Sequence, residues 1–203
     1  MFPKKFLVLV FLVFLFLFSP KNLTFNNSYA TSDPGAYVME ITKNAIDTLT
    51  NESADIEKKK SQFGELFDKN FDVPSISRFV LGKYWKQASL DQKKEFIKAF
   101  RNYVVKTYSS RFSDYAGEQL KLVDFENEKN PKIFLVHTIL ERQDAPLIKV
   151  DWRIGKKKDK FVILDIIIEG ISLAVTQRSE FVSVIDQNGG SVDKLISLLK
   201  EKS

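Results

Sequence analysis

The carboxylates Asp165 and Glu169 are the pair in this chain best suited to acid/base chemistry. They lie four residues apart in an apolar stretch predicted to be a strand, so they fall on the same face. Two neighbouring carboxylates in a pocket can act as acid and base. Such a pair more often binds an arginine or backbone N–H groups, and Arg178 follows nearby. Because nothing else in the sequence supports a reaction, catalysis by this pair is kept only as an alternative.

The other residue types that carry chemistry are sparse. His137 is the single histidine, and it lies in an apolar strand pattern without a second histidine to share a metal, so we interpret it as structural. The chain has no cysteine, which excludes thiol catalysis and thiolate metal sites. It also lacks a G-x-S-x-G elbow, a phosphate-binding loop and a dinucleotide fingerprint. We therefore predict a protein that is not an enzyme and that needs neither metal nor cofactor.

The first thirty residues have the pattern of a secretory signal peptide. Lys4 and Lys5 precede thirteen apolar residues, 6–18, and Ser28 and Ala30 are small residues at the −3 and −1 positions of a cleavage site. The apolar run is short for a membrane span, which needs about 20 residues. An uncleaved N-terminal anchor is the alternative. We predict cleavage after Ala30 and, for a Gram-negative source, a periplasmic protein.

The mature chain, residues 31–203, is predicted to be a single domain. Its 173 residues are enough for a substantial core without disulfides. Without the leader, 28 basic residues face 26 acidic ones, so the formal charge of +5 falls to about +2. That balance is too even for an electrostatic nucleic-acid partner.

Helical patterns occupy the first part of the mature chain. Asp33-Pro34 predicts the start of a helix, and a second follows over 55–70. A short helix after Pro74 is predicted to place Ile76, Phe79 and Val80 on one face. A capping box at Ser89–Gln92 starts the longest helix, predicted to reach about Tyr115. Two further helices, 176–187 and 191–202, end the chain.

Between them the periodicity changes from helical to alternating, which predicts four strands in an antiparallel meander. The third strand, 147–154, alternates apolar and polar residues, as expected of a strand with one buried face. The fourth, 161–168, is apolar everywhere except Asp165, too apolar for a strand with one face in water. The predicted fold class is α+β, a helical layer on a four-stranded antiparallel sheet.

Two groups of short segments also carry a family resemblance through their order along the chain. The first is Phe71-Asp72-Val73-Pro74 followed by Phe79-Val80-Leu81-Gly82-Lys83-Tyr84-Trp85. The second is Val150-Asp151-Trp152-Arg153 followed by Asp165 and Glu169-Gly170-Ile171-Ser172. Together they resemble the MlaC family, the toluene-tolerance auxiliary proteins of lipid ABC transporters, over nearly the whole mature chain. The chain departs from the family at Phe161, where tryptophan is usual, and at Trp152, where tyrosine is common; both positions stay aromatic.

The resemblance implies a fold in which the helical layer and a curved sheet enclose an apolar cavity. It also implies a monomeric periplasmic phospholipid shuttle that maintains outer-membrane lipid asymmetry, with phospholipid as cargo. The implied partners are an outer-membrane lipoprotein–porin complex and an inner-membrane ABC transporter with an MCE domain. Carriage of another membrane lipid, such as a hopanoid, is the alternative within this class.

Apolar and aromatic side chains on the long helix, the short helix and the strands are the expected wall of the lipid-tail pocket. Each of them is equally compatible with ordinary core packing. The predicted pocket residues are Phe79, Val80, Trp85, Phe100, Tyr103, Val104, Val136, Val150, Trp152, Ile163 and Ile166.

Overall fold

The computed structural model describes residues 33–51, 53–110, 118–142 and 145–203. Within these ranges it has six α-helices, one 3-10 helix and five strands, which confirms the α+β class. The helices are α1 (Pro34–Leu49), α2 (Ile56–Asn70), α3 (Val73–Val80), α4 (Leu90–Ser109), α5 (Leu173–Gln187) and α6 (Val192–Glu201), with the 3-10 helix at Gly82–Lys86. The strands are β1 (Gln119–Asn127), β2 (Ile133–Glu141), β3 (Ile148–Lys157), β4 (Lys160–Ile168) and β5 (Ile171–Ser172). The predicted signal peptide, residues 1–30, lies outside the described residues.

Each of these α-helices begins at a side-chain cap. Asp33, Asp55, Asp72, Ser89, Ser172 and Ser191 each accept a hydrogen bond from a backbone N–H of the first turn. The predicted capping box at Ser89 is confirmed. With Ser172 as its cap, α5 begins at Leu173, three residues before the predicted start at Thr176. In the described parts of the chain, no helix has the length and apolar character needed to cross a membrane.

The predicted end of the long helix near Tyr115 falls in residues 111–117, which the structure does not describe. The part that is described, Leu90–Ser109, is helical throughout and agrees with the prediction.

The sheet is an antiparallel meander in the order β1-β2-β3-β4-β5. The sequence predicted the first four strands and missed β5, whose two residues pair with the end of β4. A two-residue strand is too short to show a period. β5 places Ser172 beside β4, where α5 begins.

The buried apolar residues form two separate cores. The helical core joins α2, α3, α4, α5 and α6, and includes an aromatic cluster of Phe96, Phe100 and Phe181, whose ring centroids lie 5.9–6.0 Å apart. The sheet core joins α1 to one face of the sheet. Phe71 and Tyr108, both partly buried, pack against both cores. Apart from α1, the helices approach the sheet mainly along β4 and β5. The boundary between the two cores therefore follows that side of the sheet.

Candidate functional site

One face of the sheet, here called the inner face, is an apolar wall. Val136, Trp152 and Ile166 lie side by side on β2, β3 and β4, and all three are at most 5% exposed. The neighbouring row consists of Thr138, Val150 and Ile168. Along β3 these residues alternate with Lys149, Asp151 and Arg153, so the period-two pattern of that strand placed them correctly.

The wall contains two polar groups, and both are satisfied. The Trp152 indole Nε1 donates to Thr138 Oγ1 at 3.1 Å, and that hydroxyl donates to the Val150 carbonyl oxygen at 2.6 Å. Because the buried donors have partners, the surface that remains is apolar. Tyr37 of α1 packs on Phe161 with ring centroids 5.5 Å apart, and burial, followed by the charge of Glu40, raises the pKa of its hydroxyl. This phenol stays neutral at any physiological pH.

A β-bulge in β4 explains why that strand is so apolar. Arg153 pairs with Asp165, but the next residue, Ile154, pairs with Ile163, so Leu164 is the extra residue. The bulge lets Ile163 and Ile166, three residues apart, both face the sheet core, while Leu164 and Asp165 face away from it. The strand therefore has a second apolar contact on its outer side, made by Leu164.

The outer side of β4 faces α3 and α5 across a cleft of about 230 Å³. The cleft lies where the helical layer meets the sheet. Its lining residues are Ser75, Ile76 and Phe79 from α3, Arg153, Leu164 and Asp165 from the sheet, and Ala174 from α5. Phe79 is 40% exposed, and the Arg178 guanidinium lies 5.1 Å from its ring centroid. The helix that should place Ile76, Phe79 and Val80 on one face is present as α3, with Val80 fully buried in the helical core and Phe79 exposed at the cleft.

The eleven predicted pocket residues divide between the helical layer and the sheet, and all except Phe79 belong to or pack against one of the two cores. Six belong to the helical layer: Phe79, Val80, Trp85, Phe100, Tyr103 and Val104. Five lie on the inner face of the sheet: Val136, Val150, Trp152, Ile163 and Ile166. Of all eleven, Phe79 alone lines the cleft described above. The structure does not bring the set together as one continuous surface, and their role as a pocket stays a prediction.

Sequence reasoning did not select Ile76, Leu164 and Ala174 as candidate site residues. No signal along β4 could have identified the bulge, because residues 161–168 are apolar at all positions except Asp165 and the extra residue is defined only by the pairing with β3.

The polar centre of the cleft is a paired carboxylate. Asp165, with 4% of its side chain exposed, accepts hydrogen bonds from Arg153 Nη1 at 2.9 Å, Ser172 Oγ at 2.5 Å and Ala174 N at 3.0 Å. Its arginine partner is therefore Arg153 and not Arg178, which the sequence had suggested. Both carboxylate oxygens are engaged, which ties β4 to the start of α5.

Glu169 has a different environment. It lies in the turn after β4 with φ of 49°, is exposed, and accepts a hydrogen bond from the backbone N–H of Lys149. Asp165 and Glu169 thus have separate partners, and no hydrogen bond between their carboxylates appears among the interactions described for them. This arrangement suits structural anchoring better than an acid/base pair.

His137 lies on the outer face of the sheet, away from the apolar wall. Its Nδ1 is 2.7 Å from Asp151 Oδ1 on the neighbouring strand, and Nε2 is 3.9 Å from Glu126 Oε1. No group of three potential metal ligands occurs among the residues that the structure describes. The cross-strand pair with Asp151 agrees with a structural role for the histidine.

The fold is that of an α+β protein whose helical layer, apart from α1, meets the antiparallel sheet mainly along β4 and β5. The family model described as MlaC protein matches residues 39–201, so the chain belongs to the MlaC family, as its sequence resemblance predicted.

The proteins similar to this chain include one relative known by name and one with a solved structure. The intermembrane phospholipid transport system binding protein MlaC of Haemophilus influenzae is 25% identical over 128 residues, which cover 61% of this chain and 58% of that relative. The aligned part is thus less than two thirds of the relative. The solved phospholipid-binding protein from Ralstonia solanacearum, in complex with a phospholipid, has a TM-score of 0.73 and 19% identity. The superposition covers 84% of this chain and 97% of that one.

Proposed function

We propose that this protein is a periplasmic carrier that binds a phospholipid by its acyl chains. It receives and delivers the lipid at two membrane complexes, an outer-membrane lipoprotein–porin complex and an inner-membrane ABC transporter with an MCE domain. In this way it maintains the lipid asymmetry of the outer membrane. The observation that carries the proposal is the shared fold with a Ralstonia protein solved with a phospholipid. The Haemophilus relative is named as part of an intermembrane phospholipid transport system, which supports the proposed transfer between two membranes.

Energetics explain why such a carrier is needed. Exposing one acyl chain of about sixteen carbons to water costs on the order of 13 kcal/mol, at ~0.8 kcal/mol per CH₂. A protein that encloses the chains and leaves the charged headgroup in solvent removes most of this barrier. It requires an apolar interior and no headgroup-specific pocket.

The boundary between the two cores is where we place the acyl chains. The cleft of about 230 Å³ is smaller than the roughly 300 Å³ at which pockets for drug-sized ligands begin. A phospholipid held at this cleft therefore requires the helical layer and the sheet to move apart. The buried residues form two separate cores, and Phe71 and Tyr108 are partly buried residues that contact both, so we place the opening along this boundary.

The test is the lipid content of protein purified without detergent. We expect solvent extraction and mass spectrometry to find bound phospholipid. A hopanoid in its place would support the alternative cargo, and lipid-free protein would contradict both carriers.

A variant pair locates the site. Phe79→Asp removes an aromatic ring from the lining of the cleft and replaces it with a carboxylate, which offers an acyl chain no apolar contact, and we expect at least a fivefold lower phospholipid content. The side chain of Phe79 is already 40% exposed, so the fold should tolerate the change. Ile56→Asp is the matched control, because Ile56 is 57% exposed at the start of α2 and does not line the cleft.

A further inference from the structure

The ends of two hairpins form a strongly basic surface on one end of the sheet. The β1–β2 turn and the β3–β4 turn are adjacent, because the backbone N–H of Lys156 donates to the carbonyl of Lys132 at 2.7 Å. We call residues 128–132 and 156–160 the hairpin-tip surface. It contains six lysines, all exposed: Lys129, Lys132, Lys156, Lys157, Lys158 and Lys160.

Few of these charges are neutralised. The surface has two carboxylates, Glu128 and Asp159, so its net charge is +4, compared with about +2 for the whole of residues 31–203. Glu128 is bound to Arg153 at 2.8 Å, and Lys157 pairs with Asp72. Among the ion pairs found in the described part of the chain, none involves the other five lysines. The positive charge is thus concentrated and available.

From this concentration of charge, we propose that the hairpin-tip surface docks on an anionic lipid bilayer. Clusters of four to eight basic residues are attracted to anionic membrane surfaces, with about a fivefold gain in binding per lysine. The inference concerns a docking surface and is independent of the cargo-binding site, which lies between the helical layer and the sheet.

The residue types favour a membrane over an acidic protein. The hairpin-tip surface has no aromatic residue and no arginine, whereas protein interfaces are enriched in both and depleted in lysine. Lysine is a flexible point charge without the fixed fork with which arginine binds one carboxylate. Six such charges on adjacent turns suit a fluid layer of headgroups.

The experiment measures binding of the purified protein to vesicles by co-flotation. We expect binding to vesicles of 30% phosphatidylglycerol in phosphatidylcholine, and none to phosphatidylcholine alone. The test variant is Lys132→Gln/Lys158→Gln/Lys160→Gln, since these three side chains make no ion pair with any residue that the structure describes. It should bind on the order of 100-fold more weakly, at about fivefold per lysine. Raising the salt from 0.05 to 0.3 M should also weaken binding at least tenfold, because the interaction is screened.

The matched control removes three lysines near the start of α2, at the opposite end of this helix from Phe71 and β4. Lys58→Gln/Lys59→Gln/Lys60→Gln changes the net charge equally, and these residues lie about 20 Å from Phe71, where α2 ends beside β4. We expect less than a threefold effect. Equal losses in the two variants would assign the binding to net charge and overturn the proposal, as would equal binding to neutral vesicles.

Two further measurements distinguish membrane docking from binding of an acidic protein and from cargo binding. Binding of polyglutamate that depends on the same three lysines, with no binding to vesicles, would assign the surface to an acidic protein instead. The test variant should retain its extractable phospholipid, so a failure of membrane docking is distinguishable from a failure of cargo binding. Circular dichroism of both lysine variants is the check that they are folded.

Discussion

Replacing Asp165 by asparagine removes the negative charge at the junction of β4 and α5, and we expect a less stable protein that still holds its cargo. The carboxylate accepts three hydrogen bonds and has 4% of its side chain exposed, so water cannot take the place of a lost partner. An asparagine can keep the bond from the backbone of Ala174 through its oxygen. Its NH₂ group takes the place of the other carboxylate oxygen and can donate to the Ser172 hydroxyl, so what the variant loses is the charged bond from Arg153.

The magnitude follows from that single loss. A hydrogen bond involving charged groups contributes about 1.5–3 kcal/mol. Removing one partner of a fully buried ion pair costs about 3–5 kcal/mol, because the other charge is stranded. Arg153 is one-third exposed and keeps its bond to Glu128 at 2.8 Å, so it is not stranded. We therefore expect Asp165→Asn to lower the free energy of unfolding by about 2–3 kcal/mol.

The assay is urea denaturation followed by circular dichroism, with phospholipid content measured on the same samples. For a domain of this size the loss corresponds to a Tm lowered by about 5–10 °C. Glu169→Gln is the control. Its side chain is exposed, so we expect a change below about 1 kcal/mol.

Two results would refute this reasoning. One is an Asp165→Asn variant within about 0.5 kcal/mol of the parent protein, the size of a typical surface substitution. The other is a pair of stable variants, Asp165→Asn and Glu169→Gln, that both lose function. That outcome would favour the alternative in which the two carboxylates act together in a reaction.

Three other perturbations have expected results. The pKa of the Asp72 carboxyl lies below its usual range, because burial acts to raise it but the hydrogen bond from Lys157 lowers it. The stabilisation that this carboxylate provides is therefore present above about pH 4, and it is lost as the pH falls through the lowered pKa of the folded protein. Asp72→Asn should therefore cost about 1–2 kcal/mol at pH 7, and the difference from the parent should shrink toward pH 3 in urea titrations. Gly82→Ala should lower the urea midpoint more than Gly170→Ala, since both have positive φ but only at Gly82 does an added Cβ meet other side chains, at 3.0 and 3.2 Å. Val150→Asp should abolish cooperative unfolding, because Val150 is fully buried and an aspartate there has no charged partner; a folded variant that still binds phospholipid would contradict its place in the apolar wall.

Local features of the sequence predicted much of the architecture. The helix starts at Asp33 and Ser89 were predictable because a cap is a contact between residues three apart. The order of the first four strands followed from short connections, which favour antiparallel neighbours. The inner-face positions of Val136, Val150 and Trp152 followed from the period of two.

Other features depended on contacts between residues far apart in the chain. The sequence suggested Arg178 as the partner of Asp165, but the register of β3 against β4 places Arg153 opposite that carboxylate. The register also creates the bulge at Leu164. Neither can be found from spacing along one strand, because each is a relation between two strands.

By itself, the sequence determined the α+β class, the helix caps at Asp33 and Ser89, the inner face of β3 and the family resemblance, all of which depend on neighbouring residues or on the order of segments. Only the tertiary structure showed that the apolar residues form two cores, that Phe79 is exposed at the cleft between the helical layer and β4, and that the lysines of two turns meet at one end of the sheet. The physical reason is that a sequence pattern shows that an apolar side chain is buried, but it does not show which residues bury it. Packing alone decides whether it fills a core or lines a boundary.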